Sequence, residues 1–319
     1  MISVSCALGL AAWLLVACRS TSLVERYSYS HHAMGCEARV VLYAPDELTA
    51  TRAAEAAFAR IDAIEQALSD WRDDSDAERL CGAAGQGPQA VSADLRDCLT
   101  RAVELSVLSE GAFDPTIGAV TRLWRRAKRE QRMPSADELA AARALVGVQH
   151  LTLHADGKVE IHTRGVRLDF GAIGKGWACD RALDTLAAHG ITSALVELGG
   201  DLACSAPPPG RTGWTISAGN GTQAEDARLS VAHCGVATSG DDAQGWLVDG
   251  QRLSHIVRPQ TGDALRNTSR VTVVAATGAD ADALATAVEV LGTEKGADLA
   301  QKREARLGVQ PRELVVNLP

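Results

Sequence analysis

Apolar residues recur along this chain with two periods, and each period marks out its own segments. From Asp46 to Leu68 alanines and isoleucines return at helical spacing, which predicts an amphipathic helix with an Ala-rich inner face. The same spacing predicts helices over Ser92 to Leu108, from Ser135 to about Leu145, from the Gly171–Gly176 turn to about His189, and over Ala279 to Leu291. Ser135 with Glu138 has the signature of a capping box. Asp114 reads as the N-cap of a further helix with Pro115 at its first position. Short apolar or alternating runs at Glu37–Tyr43, Ala194–Leu198 and Val271–Ala276 read as strands, and another short strand is expected to end at Asp169. Trp246 to Val257 reads as a hairpin turning at Asp249-Gly250. Asp73–Gln89 and Pro207–Gly210 read as loops. Helical and strand segments are interleaved without a repeat, so the expected class is α+β, with helical and sheet-rich parts enclosing a cleft.

Composition narrows the picture. With 319 residues, 46% of them hydrophobic, the chain can bury a large core in one large or two small domains. A net charge of -8 argues against a nucleic-acid surface, and the cationic run Arg122–Arg132 reads as one solvated helix face. Beyond Cys6 and Cys18, the cysteines Cys36, Cys81, Cys98, Cys179, Cys204 and Cys234 show no CxxC spacing that would suggest zinc. They read as small buried hydrophobes, although an oxidising compartment would permit a bridge whose pairing the spacing does not give.

The first residues read as an export signal. Val4 to Ala17 is almost wholly apolar but too short for an ordinary membrane span, and Leu15-Val16-Ala17-Cys18 has the form of a lipobox. The expected organisation is a lipoprotein signal peptide over 1–17, a tether over 18–28 carrying its lipid on Cys18, and one domain over 29–319. A cleaved signal without lipid is the alternative.

Candidate chemistry gathers between Leu168 and Leu202, where two glycine-rich turns flank a helix and carry Asp169, Lys175 and Asp201. Glycines allow backbone amides to approach a ligand, and a lysine at a helix start meets phosphate charge. The spacing is neither a P-loop nor GxGxxG, and tight turns with a solvated Lys175 account for the pattern equally well. Farther on, Asp282 and Thr286 share one helical face, an oxygen pair of the kind that suits Mg²⁺ with waters and substrate phosphates as its other ligands. Alone, such a pair also simply decorates a helix.

Taken in order, Met34-Gly35, Ser69-Asp70-Trp71 with Ser75, Gly111 to Thr116, LDFGAIGKGWACDRA from Leu168, ELGGDL from Glu197, Ala237 to Gly240, His255 with Thr261-Gly262, and ADALATA from Ala281 resemble the ApbE family of FAD:protein FMN transferases. The resemblance runs from about Tyr29 to Leu291. It implies an ApbE-like fold with an FAD cleft lined by Met34, Trp71, Ala112, Phe113, Asp114, Asp169, Lys175 and His255, with Trp71 in place of the family's usual tyrosine. It implies Mg²⁺ held by Asp282, Thr286 and the Ala172 carbonyl, and catalytic roles for His255 as base, Lys175 and Asp282. The implied reaction moves the FMN part of FAD onto a threonine or serine hydroxyl of a partner flavoprotein and releases AMP. The implied setting is periplasmic, lipid-anchored at a bacterial membrane, the inner one by resemblance, with a periplasmic redox flavoprotein as acceptor. An FAD pyrophosphatase giving FMN and AMP, or a non-catalytic FAD-binding lipoprotein, are the other readings. Two departures bear on the acceptor side: Arg258 stands where the family has Asp, and Gln260 where it usually has Arg.

Overall fold

The computed structural model describes residues 24–218, 227–240, 245–266, 270–292, 295–296, 298–299 and 314–317. In chain order its elements begin with β1 (Glu25–Ala33), β2 (Cys36–Ala44), α1 (Glu47–Leu68), α2 (Asp76–Gly82), α3 (Ala93–Leu108), α4 (Gly118–Glu130) and α5 (Ala136–Arg143). The small pair β3 (Leu151–Leu153) and β4 (Val159–Ile161) follows, then α6 (Gly174–Ala188), β5 (Ala194–Leu198), β6 (Asp201–Cys204), β7 (Trp214–Ala218), β8 (Ala227–Val231) and β9 (Cys234–Gly240). The last are β10 (Trp246–Val248), β11 (Gln251–Leu253), β12 (Arg270–Ala275), α7 (Gly278–Leu291) and β13 (Leu314–Asn317). The α+β class expected from the sequence is the one observed.

A seven-stranded sheet in the order β1-β2-β5-β6-β9-β12-β13 forms the frame, and every pairing in it is antiparallel. Strand alternation sorts its side chains onto two faces. Val40, Leu42, Val196, Leu198, Ala203, Ala237, Val271 and Val273 join one core with the buried sides of α1, α3, α6 and α7. Val41, Leu195, Leu202, Cys204, Cys234, Val236 and Val274 point the other way, into a second core closed by Trp214, Leu229 and Val231 of the β7–β8 hairpin. A third cluster joins Val120, Trp124 and Ala127 of α4 to Trp246, Val248 and Leu253 of the β10–β11 hairpin.

Three two-residue turns join neighbouring antiparallel strands. Met34-Gly35, Gly199-Gly200 and Asp249-Gly250 all have positive φ at both positions, the conformation that matches the twist of antiparallel strands. The turn at Gly199-Gly200 brings Asp201 to the first residue of β6, and the one at Asp249-Gly250 is the hairpin turn expected from the sequence, although its strands end at Leu253 rather than Val257.

Other differences have local causes. The expected loop over 73–89 contains α2, started by Ser75, whose hydroxyl accepts the Glu78 amide. No strand ends at Asp169; the segment before it makes a single bridge, Arg167 to Ile117, and the Asp169 amide donates to the Pro115 carbonyl. Asp114 does not cap α4, which begins at Gly118. Its carboxylate folds back to accept the amide and hydroxyl of Thr116 at 2.8 and 2.6 Å, closing an Asx-type turn instead. Chain order within β1 also departs from the expected tether, since pairing with β2 already starts at Glu25. Among the described residues no helix is long and apolar enough to cross a membrane.

The N-termini of α6 and α7 meet backbone to backbone. A Cβ on Gly278 would stand 2.6 Å from the Gly176 carbonyl oxygen, and one on Gly176 or on Gly235 of β9 would overlap the Gly278 backbone outright. Any side chain here must push the two helices or β9 apart, an overpacking that costs about 1–3 kcal/mol or more. Gly176→Ala is therefore expected to lower the urea midpoint of unfolding, while Gly190→Ala, where a Cβ meets no atom, lowers it only through its positive φ.

Candidate functional site

The close approach of α6 and α7 produces a reciprocal pairing of carboxylates with helix ends. Asp180 on α6 accepts the Gly278 and Ala279 amides at 2.7 and 3.0 Å, closing the start of α7. Asp282 on α7 accepts the Gly176 amide at 3.2 Å, closing the start of α6. Each carboxylate meets the positive end of the other helix, where orphan amides and the helix dipole favour negative charge. Burial raises both acids above the ordinary carboxylate range: Asp180 is pushed up to about 6 against the pull of its amide donors. Asp282, 5% exposed, is raised by burial and pulled back down by Lys175 and the Lys175 and Gly176 backbone groups.

Beside this junction lies a cleft of about 720 Å³. One wall is α4, which contributes Thr121, Arg125, Lys128 and Arg129; the opposite side carries Gly171, Ala172, Lys175, Gly199, Asp201, Thr238, Ser239, Asp282 and Thr286. His255 and Ile256 enter from the loop after β11, and Ala112, Phe113, Asp114 and Asp169 complete the lining. Of the residues singled out in the sequence, Ala112, Phe113, Asp114, Asp169, Ala172, Lys175, His255, Asp282 and Thr286 thus share one cavity. Met34 and Trp71 do not line it. Met34 occupies the β1–β2 turn with its amide bonded to Glu65 at 2.7 Å, and its methyl group sits against the Gly174 turn of α6. Trp71, 57% exposed, lies on the loop after α1 next to Asp70, whose side chain pairs with Arg125 of the cleft wall. Cys18 lies outside the described residues.

The glycine-rich turn before α6 does not offer its amides to a ligand as expected. The Gly171 amide goes to Asp169 at 2.8 Å, the Ile173 and Gly174 amides to the Phe170 carbonyl at 3.1 and 2.7 Å, and Gly176 to Asp282. Cationic side chains take their place. Lys175 forms an ion pair with Asp201, which also accepts the Thr238 amide at 3.3 Å. Arg125 bridges Asp70 and Asp169, and Asp169 accepts the Thr121 hydroxyl at 2.7 Å. Burial first and then the Asp169 charge raise Asp70, with Arg125 and Arg122 opposing. Burial likewise raises Asp114 against its Thr116 bonds.

Sequence reasoning missed Arg125, Lys128 and Arg129, reading their run as a solvated face. The available signal was their i, i+3, i+4 spacing opposite Val120, Leu123, Trp124 and Ala127, which fixes one cationic face but not what it fronts. Arg122, half-buried, donates to the Asp70 carbonyl at 2.7 Å and pairs with Glu78. Arg258, the charge-reversed position, does not reach the cleft. Its guanidinium donates to the Val290 carbonyl at 3.3 Å, a cation at the C-terminal end of α7 where the helix dipole welcomes it. Gln260 is exposed.

Asp282, Thr286 and Ala172, the oxygen set that the resemblance implies for Mg²⁺, line the same cleft. Among the described residues no trio of His, Cys, Asp and Glu converges as a transition-metal site would require. A single protein carboxylate with neutral oxygens beside a cationic wall fits a hard divalent cation that keeps water and phosphate ligands.

Residues 34–309 match the sequence model of the ApbE family. The chain is 33% identical over 305 residues to the FAD:protein FMN transferase of Treponema pallidum, covering 90% of this chain and 84% of that protein. It is 30% identical to the FAD:protein FMN transferase of Escherichia coli K12, over 76% of this chain and 72% of the relative. Its fold is similar to the flavinyl transferase ApbE of Pseudomonas stutzeri in its apo form, with a TM-score of 0.77 at 30% identity over 92% and 94% of the two chains. The ApbE protein of Thermotoga maritima gives a TM-score of 0.81 at 26% identity over 92% and 94%.

The raised acid at Asp180 makes a pH prediction. Because its folded pKa of about 6 exceeds its ordinary value of 3.8, the folded state holds this proton more tightly. Its contribution to stability is full below about pH 4 and is lost as pH rises toward 6, by about 3 kcal/mol at most. Urea unfolding followed from pH 4 to 7 should show this falling component, and Asp180→Asn, which keeps an oxygen for the two amides but cannot ionise, should flatten it.

Proposed function

The chain belongs to the ApbE family, and from that premise we propose that it transfers the FMN half of FAD to a threonine or serine hydroxyl of a partner redox flavoprotein, releasing AMP, with Mg²⁺ in the site. The observation that carries this reading is the convergence on one cleft of a cationic wall, an Asp-Thr-carbonyl oxygen set and a histidine.

The reaction forms a bond between the acceptor oxygen and the flavin-side phosphorus and breaks the bridging P–O bond, so AMP departs with the bridging oxygen. Mg²⁺, when held by Asp282, Thr286 and the Ala172 carbonyl, supplies Lewis-acid stabilisation of the pyrophosphate charge. Asp282 is oriented for that duty by the amide it accepts from α6. Lys175 keeps one donor on Asp201 and has two more for phosphate oxygens. Arg125, Lys128 and Arg129 face the same cavity from α4 and favour a polyanionic ligand. His255, which lines the cleft from the loop after β11, would take the hydroxyl proton as general base. With Arg258 turned to the end of α7, its charge acts on the fixing of this loop rather than inside the cleft. The same reading places the protein at the periplasmic face of a bacterial membrane, anchored through lipid on Cys18.

Purified protein incubated with FAD, Mg²⁺ and an acceptor domain bearing a flavinylation threonine tests the proposal, with acceptor mass and AMP followed together. The expected outcome is a mass gain of one FMN residue with equal AMP. Asp282→Ala should lower the rate roughly a thousandfold, the loss of several kcal/mol of charge stabilisation, and His255→Ala by about 10²–10⁴-fold. AMP with free FMN and an unmodified acceptor would instead make the protein a pyrophosphatase, and bound but uncleaved FAD would make it a binding protein.

A further inference from the structure

From the facing thiols of β6 and β9 we infer that Cys204 and Cys234 form a cross-strand disulfide that staples the two central strands beneath the cleft. The two residues are directly opposed in the antiparallel ladder, and their sulfurs stand 3.9 Å apart. Opposed residues of an antiparallel pair have Cα atoms roughly 4.5–5.5 Å apart and side chains on the same face. That separation lies within the span a disulfide bridges, so closure needs side-chain rotation without a shift of either strand.

The other described cysteines lie elsewhere with their own contacts. Cys36 faces the Ala33 carbonyl, Cys81 accepts the Leu168 amide, Cys179 faces the Asp201 carbonyl, and Cys98 is fully buried in α3. The Cys204 and Cys234 side chains instead meet each other in the core closed by Trp214 and Leu229. The bridge joins the strand that starts at Asp201, partner of Lys175, to the strand that carries Thr238 and Ser239 at the cleft. It also encloses the β7–β8 hairpin in a covalent loop.

The oxidant is a disulfide of another molecule, protein or small thiol. One cysteine thiolate attacks it, giving a mixed disulfide and one released thiol. The second thiolate then attacks the protein sulfur of that mixed disulfide, forming the Cys204–Cys234 bond and releasing the second thiol. Two electrons and two protons thus pass from the cysteine pair to the oxidant. The neighbouring thiol and burial push Cys204 far above its ordinary range, so thiolate is scarce once the strands have paired and the bridge forms as they pair.

Reduced, denatured full-length protein refolded in a buffer of reduced and oxidised glutathione provides the test, which needs neither flavin nor acceptor. Remaining thiols are alkylated after denaturation, the protein is digested, and peptides are mapped by mass. The expected result is a peptide pair joined through Cys204 and Cys234, two hydrogens lighter than its reduced parts, with Cys36, Cys81, Cys98 and Cys179 alkylated. Protein first folded in reductant and then exposed to the same buffer should acquire the link at least tenfold more slowly. The linked protein should melt at least about 4 °C above its reduced form, and reductant should not shift the Tm of the Cys204→Ala/Cys234→Ala variant. Recovery of both cysteines alkylated after oxidative refolding, or either joined to a different cysteine, would overturn the inference whether or not the double variant folds.

Discussion

Two helices that close each other's amino ends organise this protein. Asp180 and Asp282 each reach across to the other helix, and they do so only because Gly176, Gly278 and Gly235 let three backbones touch. The arrangement couples sequence to site through one chain of causes. Absent Cβ atoms allow the approach, the approach brings a buried carboxylate to a helix terminus, and the amide there fixes the carboxylate's orientation beside the cleft. Burial raises the energy of that charge, while the helix end and Lys175 lower it. A preoriented, incompletely neutralised oxygen is what a hard cation and its phosphate partner would find on arrival.

The cleft itself divides by charge. Asp282 of α7 and Asp201 of β6 line one side together with Lys175 of α6, whereas Arg125, Lys128 and Arg129 project from α4. These two sides belong to different packing clusters, since α4 rests on the β10–β11 hairpin and α6 and α7 rest on the large sheet. The Arg125 bridge to Asp70 and Asp169 is the visible electrostatic tie between them. Arg258 adds another link, from the loop bearing His255 to the far end of α7. One helix thus meets the metal-ligand candidates near its start and anchors the histidine loop at its finish.

Much of this was legible in the sequence wherever a long periodic run met a clear cap. Helices α1, α3, α5, α6 and α7 have Asp46, Ser92, the Ser135–Glu138 box, the Gly171–Gly176 turn and Thr277 at their starts. Shorter or more polar elements were not legible. In β1 the sequence ERYSYSHHA carries little apolar surface because it lies at the sheet's edge, and α2 is seven residues of mixed character. Asp114 failed for another reason: a carboxylate that caps a helix and one that closes an Asx turn both accept an amide a few residues ahead. The Asp-Thr pair and Lys175 were found because the spacing around them is local, whereas His255 was reached only through the resemblance to the ApbE family. Lys128 and Arg129 are exposed as a solvated face implies, but Arg125 was misread because the acids that receive it, Asp70 and Asp169, lie far away along the chain and reach it only through the fold.

The strand order of the large sheet has a consequence for how the chain is built. Read from one edge to the other, β1, β2, β5, β6, β9, β12 and β13 follow the order of the chain. Every later strand therefore joins a growing border, and none must be inserted between two strands already paired. Helices and small hairpins are excursions that return to the border they left. A polypeptide delivered progressively from its amino end can lay down this sheet like successive planks. Its unfinished edge is always the newest strand, and β13, from the last few residues, covers the border left by β12.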